Sequence, residues 1–141
     1  MKLTETVKTE LMQAALKARG RSYSPYSGYA VGAALLTKAG KIYTGCNVEN
    51  ASFGATNCAE RSAFFKAVSE GDTEFSAIAI AGGKAGRDAL AYAYPCGNCR
   101  QVMQEFCAKD FVILVTKSNG EFEEHTLAEL LPYGFKGDEL T

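Results

Sequence analysis

The sequence predicts an α/β fold in which a sheet is covered by helices on both faces. Apolar runs of strand length alternate along the chain with segments of helical periodicity. Clusters of glycine, asparagine and proline punctuate them at short intervals. With 141 residues, 47% hydrophobic and 22% charged, the chain is long enough to bury a core as a single domain, residues 1–141.

Residues 4–19 read as a helix, because Val7, Leu11, Ala14, Ala15 and Ala18 recur at helical spacing and Gly20 supplies a stop. Residues 22–28, rich in Tyr, Ser, Pro and Gly, read as a loop. Residues 29–37 are an apolar strand, Lys38-Ala39-Gly40-Lys41 a turn, and residues 42–46 the returning strand of a β-hairpin. Residues 47–57 are polar and irregular. A helix starts near Cys58 and ends before Gly71. Residues 75–81 form a short strand bounded by Gly82-Gly83, and residues 84–94 a loop. A further helix follows Pro95, whose missing N–H suits a helix start, and continues through Val102, Met103 and Phe106. Residues 111–116 read as a buried strand and Ser118-Asn119-Gly120 as a turn. Residues 126–131 read as a short helix ended by Pro132. No internal repeat or low-complexity segment interrupts this order.

Charge and cysteine usage narrow the function classes. The formal net charge is −1 and no Lys/Arg cluster stands out, which argues against a polynucleotide partner and for a small substrate. No apolar run has the length of a membrane span. Met1 is followed by a polar, helix-like segment, so a cytoplasmic location is expected. Five cysteines, an odd number without secretory context, point to reduced thiols.

Three of those cysteines form a split pattern. Cys58-Ala59-Glu60 is followed, 38 positions after the first cysteine, by Pro95-Cys96-Gly97-Asn98-Cys99. Three thiolates leave one position of a tetrahedral zinc open for water, which separates a catalytic from a structural site. Both cysteine groups fall where helices begin, the place where ligands gather in α/β sheets. The helix dipoles there favour ionised sulfur. Glu60, two residues beyond a ligand, is suited to carry a proton between water and substrate. Arg61, next to it, is a candidate to offset the excess thiolate charge by hydrogen bonding to a sulfur. His125 is the single histidine; its polar Glu-Glu-His-Thr surroundings and lack of ligand spacing read as a surface residue. Cys107 falls in a helical hydrophobic register and reads as core. Cys46 ends a strand and is not assigned to the metal.

The arrangement is similar to that of zinc-dependent base deaminases, with Cys-x-x-Cys after a proline and a Glu that is not a ligand. The chain more specifically resembles the small cytidine deaminases of nucleoside salvage over nearly its full length. The matching segments are Val31-Gly32-Ala33-Ala34-Leu35, Thr44-Gly45-Cys46-Asn47-Val48-Glu49-Asn50-Ala51-Ser52, Cys58-Ala59-Glu60-Arg61, Pro95-Cys96-Gly97-Asn98-Cys99-Arg100-Gln101 and Leu130-Leu131-Pro132-Tyr133-Gly134-Phe135. The resemblance implies a three-layer α/β/α fold around a mixed five-stranded sheet. It implies one Zn²⁺ per subunit on Cys58, Cys96 and Cys99, with Glu60 catalytic. Asn47 and Glu49 would hold the ribose hydroxyls, the Ala59 backbone the pyrimidine edge, and Tyr29 would pack on the base. Phe135 would approach from a neighbouring subunit of a homotetramer whose sites lie near interfaces. The implied reaction is hydrolytic deamination of cytidine and 2′-deoxycytidine to uridine and 2′-deoxyuridine, with release of ammonia, in pyrimidine salvage.

The chain departs from the family at Tyr29 (commonly Phe), Ala30 (commonly Pro), Phe53 (often Tyr) and Asn98 (usually Ala). The Leu90-Ala91-Tyr92-Ala93-Tyr94 segment is also unusual, with two tyrosines just ahead of the second cysteine motif. These positions bear on which pyrimidine nucleoside is preferred. The rival readings are a deaminase of a blasticidin-type antibiotic or of an N4-modified cytidine, and a zinc-stabilised binding module. Asn47-Val48-Glu49-Asn50 favours an ordinary ribose over the first, and an intact Glu60 speaks against the second.

Overall fold

Side chains alternate between the two faces of a strand, and the computed structural model, which describes residues 3–140, shows what covers each face. Its elements run α1 (Glu5–Arg19), β1 (Tyr29–Thr37), β2 (Ile42–Cys46), α2 (Ala59–Ser69), β3 (Phe75–Lys84), α3 (Gly97–Phe106), β4 (Val112–Thr116), β5 (Phe122–Thr126) and α4 (Leu127–Leu130). The strands form one mixed sheet in the order β2-β1-β3-β4-β5. Only β3 and β4 are parallel; the other neighbours are antiparallel. On one face Leu11, Met12 and Ala15 of α1 pack on Ala34, Leu36, Ala77, Ala79 and Leu114. On the other, Ala63, Phe64 and Ala67 of α2, Met103 of α3 and Leu127 of α4 pack on Leu35, Ile78, Ile80, Ile113 and Val115. Phe64 centres that second layer, with its ring 5.1 Å from Phe75, 6.3 Å from Phe106 and 6.2 Å from Phe111.

Two glycines set how close the helices lie. A Cβ on Gly32 would sit 2.1 Å from the Ala15 carbonyl oxygen of α1. A Cβ on Gly45 would sit 2.6 Å from both the Ala59 oxygen and the Ala63 nitrogen of α2. The second contact brings the N-terminus of α2, and with it Cys58 and Glu60, against β2.

The structure differs from the sequence reading in two elements. β3 does not stop at Gly82-Gly83: both pair with β1, opposite Val31 and Ala30. These glycines mark a close backbone approach, since a Cβ on Gly82 would lie 2.6 Å from Ala93 Cβ. The fifth strand, β5, lies in a polar stretch between the Ser118-Asn119-Gly120 turn and Thr126, to which the sequence pattern assigns no element. It is an edge strand, paired with β4 alone, so Phe-Glu-Glu-His-Thr carries no apolar run. Thr126 then caps α4 in a reciprocal capping box with Glu129. Among the described residues no helix is long and apolar enough to cross a membrane.

Candidate active site

Two helix starts on the α2–α3 face supply the chemistry. Cys58 is the N-cap of α2 and Cys96 the N-cap of α3, both with extended backbone and neither sulfur spent on capping a backbone N–H. Cys99 lies one turn into α3 and is buried. The sulfurs of Cys58 and Cys96 are 3.7 Å apart and those of Cys96 and Cys99 3.5 Å apart. All three lie within 4.8 Å of one another, the one such group of potential metal ligands among the described residues. Tetrahedral zinc with Zn–S bonds near 2.3 Å needs sulfurs about 3.8 Å apart. The donor set and its spacing therefore fit zinc, and three sulfur ligands would leave one tetrahedral position open.

The sulfurs do not ionise alike. Hydrogen bonding from Cys99 and from Arg61 holds the Cys58 thiol well below the usual thiol range. The same Cys58–Cys99 hydrogen bond, with burial, pushes Cys99 well above it. Arg61 Nη2 lies 3.3 Å from Cys58 Sγ. Its buried Nε has no hydrogen-bond partner among the described residues. Glu60 follows Ala59 on the first turn of α2 and is 4% exposed. Burial pushes its carboxyl up to about 7, so it can hold or release a proton near neutral pH.

These groups open onto a cavity of about 580 Å³. Cys58, Ala59, Glu60 and Cys96 line one part of it. Tyr29, Val31, Ile80, Tyr92 and Ala93 give apolar walls, and Asn47, Glu49 and Ser27 a polar region. Cys99 and Arg61 stand behind the lining. Glu49 Oε1 accepts hydrogen bonds from the backbone N–H groups of Tyr26 (2.9 Å) and Ser27 (3.0 Å), and Oε2 accepts one from the Ser27 hydroxyl. Those bonds, the Ser27 hydroxyl first, lower its pKa and keep it a carboxylate. Asn47 is buried and fastens the surrounding loops. Its Oδ1 accepts from Ser22 Oγ (2.5 Å) and Val31 N (2.9 Å), and its Nδ2 donates to the Tyr29 carbonyl (2.8 Å). One Nδ2 hydrogen is left for a ligand.

Phe135 is half exposed and outside this lining, with its carbonyl held by Gln101 Nε2 at 2.9 Å. Cys46 lines a different cavity of about 440 Å³ between α1, β2 and α2. His125 is half-buried on β5 and bonds Glu123 rather than any cysteine. Three residues that position the site escaped the sequence reading. Ser22 and Ser27 orient Asn47 and Glu49, and Arg100 ties the Pro95 carbonyl (2.7 Å) to the Leu130 carbonyl (2.6 Å). Serines in a polar loop carry no spacing signal, and an arginine that binds backbone carbonyls leaves none in the side-chain pattern.

Comparison with known proteins gives a consistent picture. The family described as the cytidine and deoxycytidylate deaminase zinc-binding region matches residues 5–115. The cytidine deaminase of Sporosarcina psychrophila is 46% identical over 132 residues, 94% of this chain and 93% of that protein. The cytidine deaminase of Halalkalibacterium halodurans is 45% identical, over 92% of this chain and 95% of that protein. The crystal structure of cytidine deaminase from Burkholderia pseudomallei superposes with a TM-score of 0.83 at 42% identity, over 94% of this chain and 100% of that one.

Proposed function

Because this chain belongs to the cytidine and deoxycytidylate deaminase zinc-binding family, we propose that its cavity binds a pyrimidine nucleoside and that Glu60 moves the protons of its deamination. The reaction is the zinc-dependent hydrolysis of cytidine to uridine, with water consumed and ammonia released. 2′-Deoxycytidine as a second substrate, and a place in pyrimidine salvage, are part of the proposal. One observation carries the assignment of the site. Three sulfurs at tetrahedral spacing adjoin a buried carboxyl, and Cys58, Cys96 and Glu60 of this group line a cavity that also holds a preorganised carboxylate, Glu49.

Cys58, Cys96 and Cys99 would hold the zinc, and the chemistry it supplies when bound is Lewis-acid activation of water. Glu60 takes the proton from the attacking water, delivers it to the ring nitrogen and then assists departure of the amine. Its burial suits this, because a carboxyl with a pKa near 7 exchanges protons at neutral pH in both directions. Glu49, held as an acceptor by Ser27 and Tyr26, takes the ribose hydroxyls together with the remaining Nδ2 hydrogen of Asn47. The Ala59 backbone meets the pyrimidine edge, and the Tyr29 ring packs on the base. Arg61 withdraws charge from Cys58 through its 3.3 Å contact.

The working form is a homotetramer acting in the cytoplasm as one catalytic domain per chain. Exposed aromatic surface supports the assembly: Phe53 is 73% and Phe135 51% exposed. Phe135, absent from its own cavity, is free to complete a neighbour's.

The test is the absorbance of cytidine on mixing with zinc-loaded protein, beside the Glu60→Gln variant. Wild type should consume the cytidine band, and the variant should lose at least about 10²-fold in rate with zinc retained. A variant that turns over normally would remove Glu60 from this role.

A further inference from the structure

The proposed reaction leaves one cluster unused. Tyr92, Ala93 and Tyr94 line the cavity immediately before Pro95 and Cys96. Their segment is fastened to two strands. On one side Ala91 bridges Gly82 of β3, where the absence of a Cβ admits Ala93. On the other, the β4–β5 hairpin grips it at three points. Ser118 exchanges hydrogen bonds with Ala89, through Ser118 N to the Ala89 carbonyl (2.6 Å) and Ala89 N to Ser118 Oγ (2.7 Å). Lys117 Nζ stands 4.3 Å above the Tyr92 ring. The Tyr94 hydroxyl donates to Glu123 Oε1 at 2.5 Å, and His125 Nε2 lies 3.1 Å from that same oxygen. The Tyr94 ring meets the His125 ring edge-on at 6.0 Å and lies tilted against the Tyr92 ring at 6.4 Å.

From this geometry we infer that Tyr94 sets the size of base the cavity accepts at its cysteine end, and that Glu123, steadied by His125, is the positioning residue that holds it there. The inference rests on the proposed nucleoside reading. Tyr94 is two residues from Cys96 and lines the same cavity; on the proposed reading the exocyclic amine departs beside the three sulfurs. A phenol anchored outward on β5 is a fixed wall, because its charge-assisted hydrogen bond resists displacement more than a neutral one does. The ligand class it discriminates is cytidine carrying a substituent on that amine. An unanchored ring can rotate away and admit the added group.

The experiment compares wild type with Tyr94→Phe, Glu123→Ala and Glu123→Gln, all zinc-loaded. KM is measured for cytidine, and Ki for N4-methylcytidine as a competitor. Loss of the anchor in Tyr94→Phe and Glu123→Ala should lower the ratio of Ki to KM about fivefold, the equivalent of one net hydrogen bond. Glu123→Gln keeps an acceptor for the phenol without its charge and should give a ratio between those of wild type and Glu123→Ala. Melting temperature and zinc content identify a variant that has merely lost its fold, and Tyr94→Phe removes the hydroxyl alone. A ratio within twofold of wild type in both anchor variants overturns the inference while leaving the deaminase reading intact. Wild-type protein that consumes no cytidine overturns that reading, and this inference with it.

Discussion

At the scale of single residues, burial decides which groups react. Arg61 touches Cys58 but not the cavity, so the role proposed for it runs through the sulfur. Arg61→Ala should lower turnover about tenfold, the size of one charge-assisted contact, and lower bound zinc much less. Metal analysis alongside kinetics checks this; equal losses in both would make Arg61 a folding residue. Cys107, 5% exposed, is the contrasting thiol: burial pushes it up to about 12, from an ordinary 9.0. Below pH 9 it is a thiol in folded and unfolded chains alike, and its ionisation leaves stability unchanged. Between pH 9 and 12 the unfolded chain ionises there first, so stability falls as pH rises. Denaturant titrations across that range should show a shallower alkaline decline in Cys107→Ala than in wild type, on top of its constant packing loss.

At the scale of elements, the site is made by how closely α2 approaches β2. Gly45 admits the backbone of Ala59 and Ala63, and a methyl there has nowhere to go. Gly45→Ala should therefore push the start of α2 outward, separate Cys58 from Cys96 and Cys99, and reduce zinc content as well as stability. The effect belongs in the range of overpacked cores, about 1–3 kcal/mol. Thermal melting with metal analysis reads both, and full zinc occupancy at wild-type stability would contradict it. β5 works differently. It contributes little to the core, yet Glu123 and His125 on it reach the segment that walls the cavity. Its polar sequence hid the strand, because an edge strand need not be apolar to pair.

At the scale of the whole molecule, the proposed homotetramer rests on exposed aromatic surface and on Phe135 lying outside the cavity of its own chain. Sedimentation should give four times the 15.1 kDa chain mass. Phe135→Ala should raise KM for cytidine by at least about tenfold, in the range of truncating a buried aromatic anchor. A monomer with full activity would remove Phe135 from the site.

Much of this protein is determined by sequence alone. Periodicity determines α1, β1, β2 and α2, since each buries a face whose spacing repeats along the chain. The candidate ligand set is equally legible, because Cys96 and Cys99 after a proline, with Cys58 upstream and Glu60 two residues beyond it, form a pattern specific to zinc chemistry. Tertiary structure alone decides what those intervals cannot encode. Gly82 and Gly83 look like a strand end until the ladder to β1 shows a close approach. Asn47 looks like a ligand-binding amide until its bonds to Ser22, Val31 and Tyr29 show that it also holds the loops together. Tyr94 and Glu123 are 29 positions apart and meet only because the β4–β5 hairpin folds back beside the cavity. The reason is physical. Local spacing reports which face of an element is buried, whereas distances between elements depend on how closely backbones pack, and that closeness is set by side chains from both partners at once.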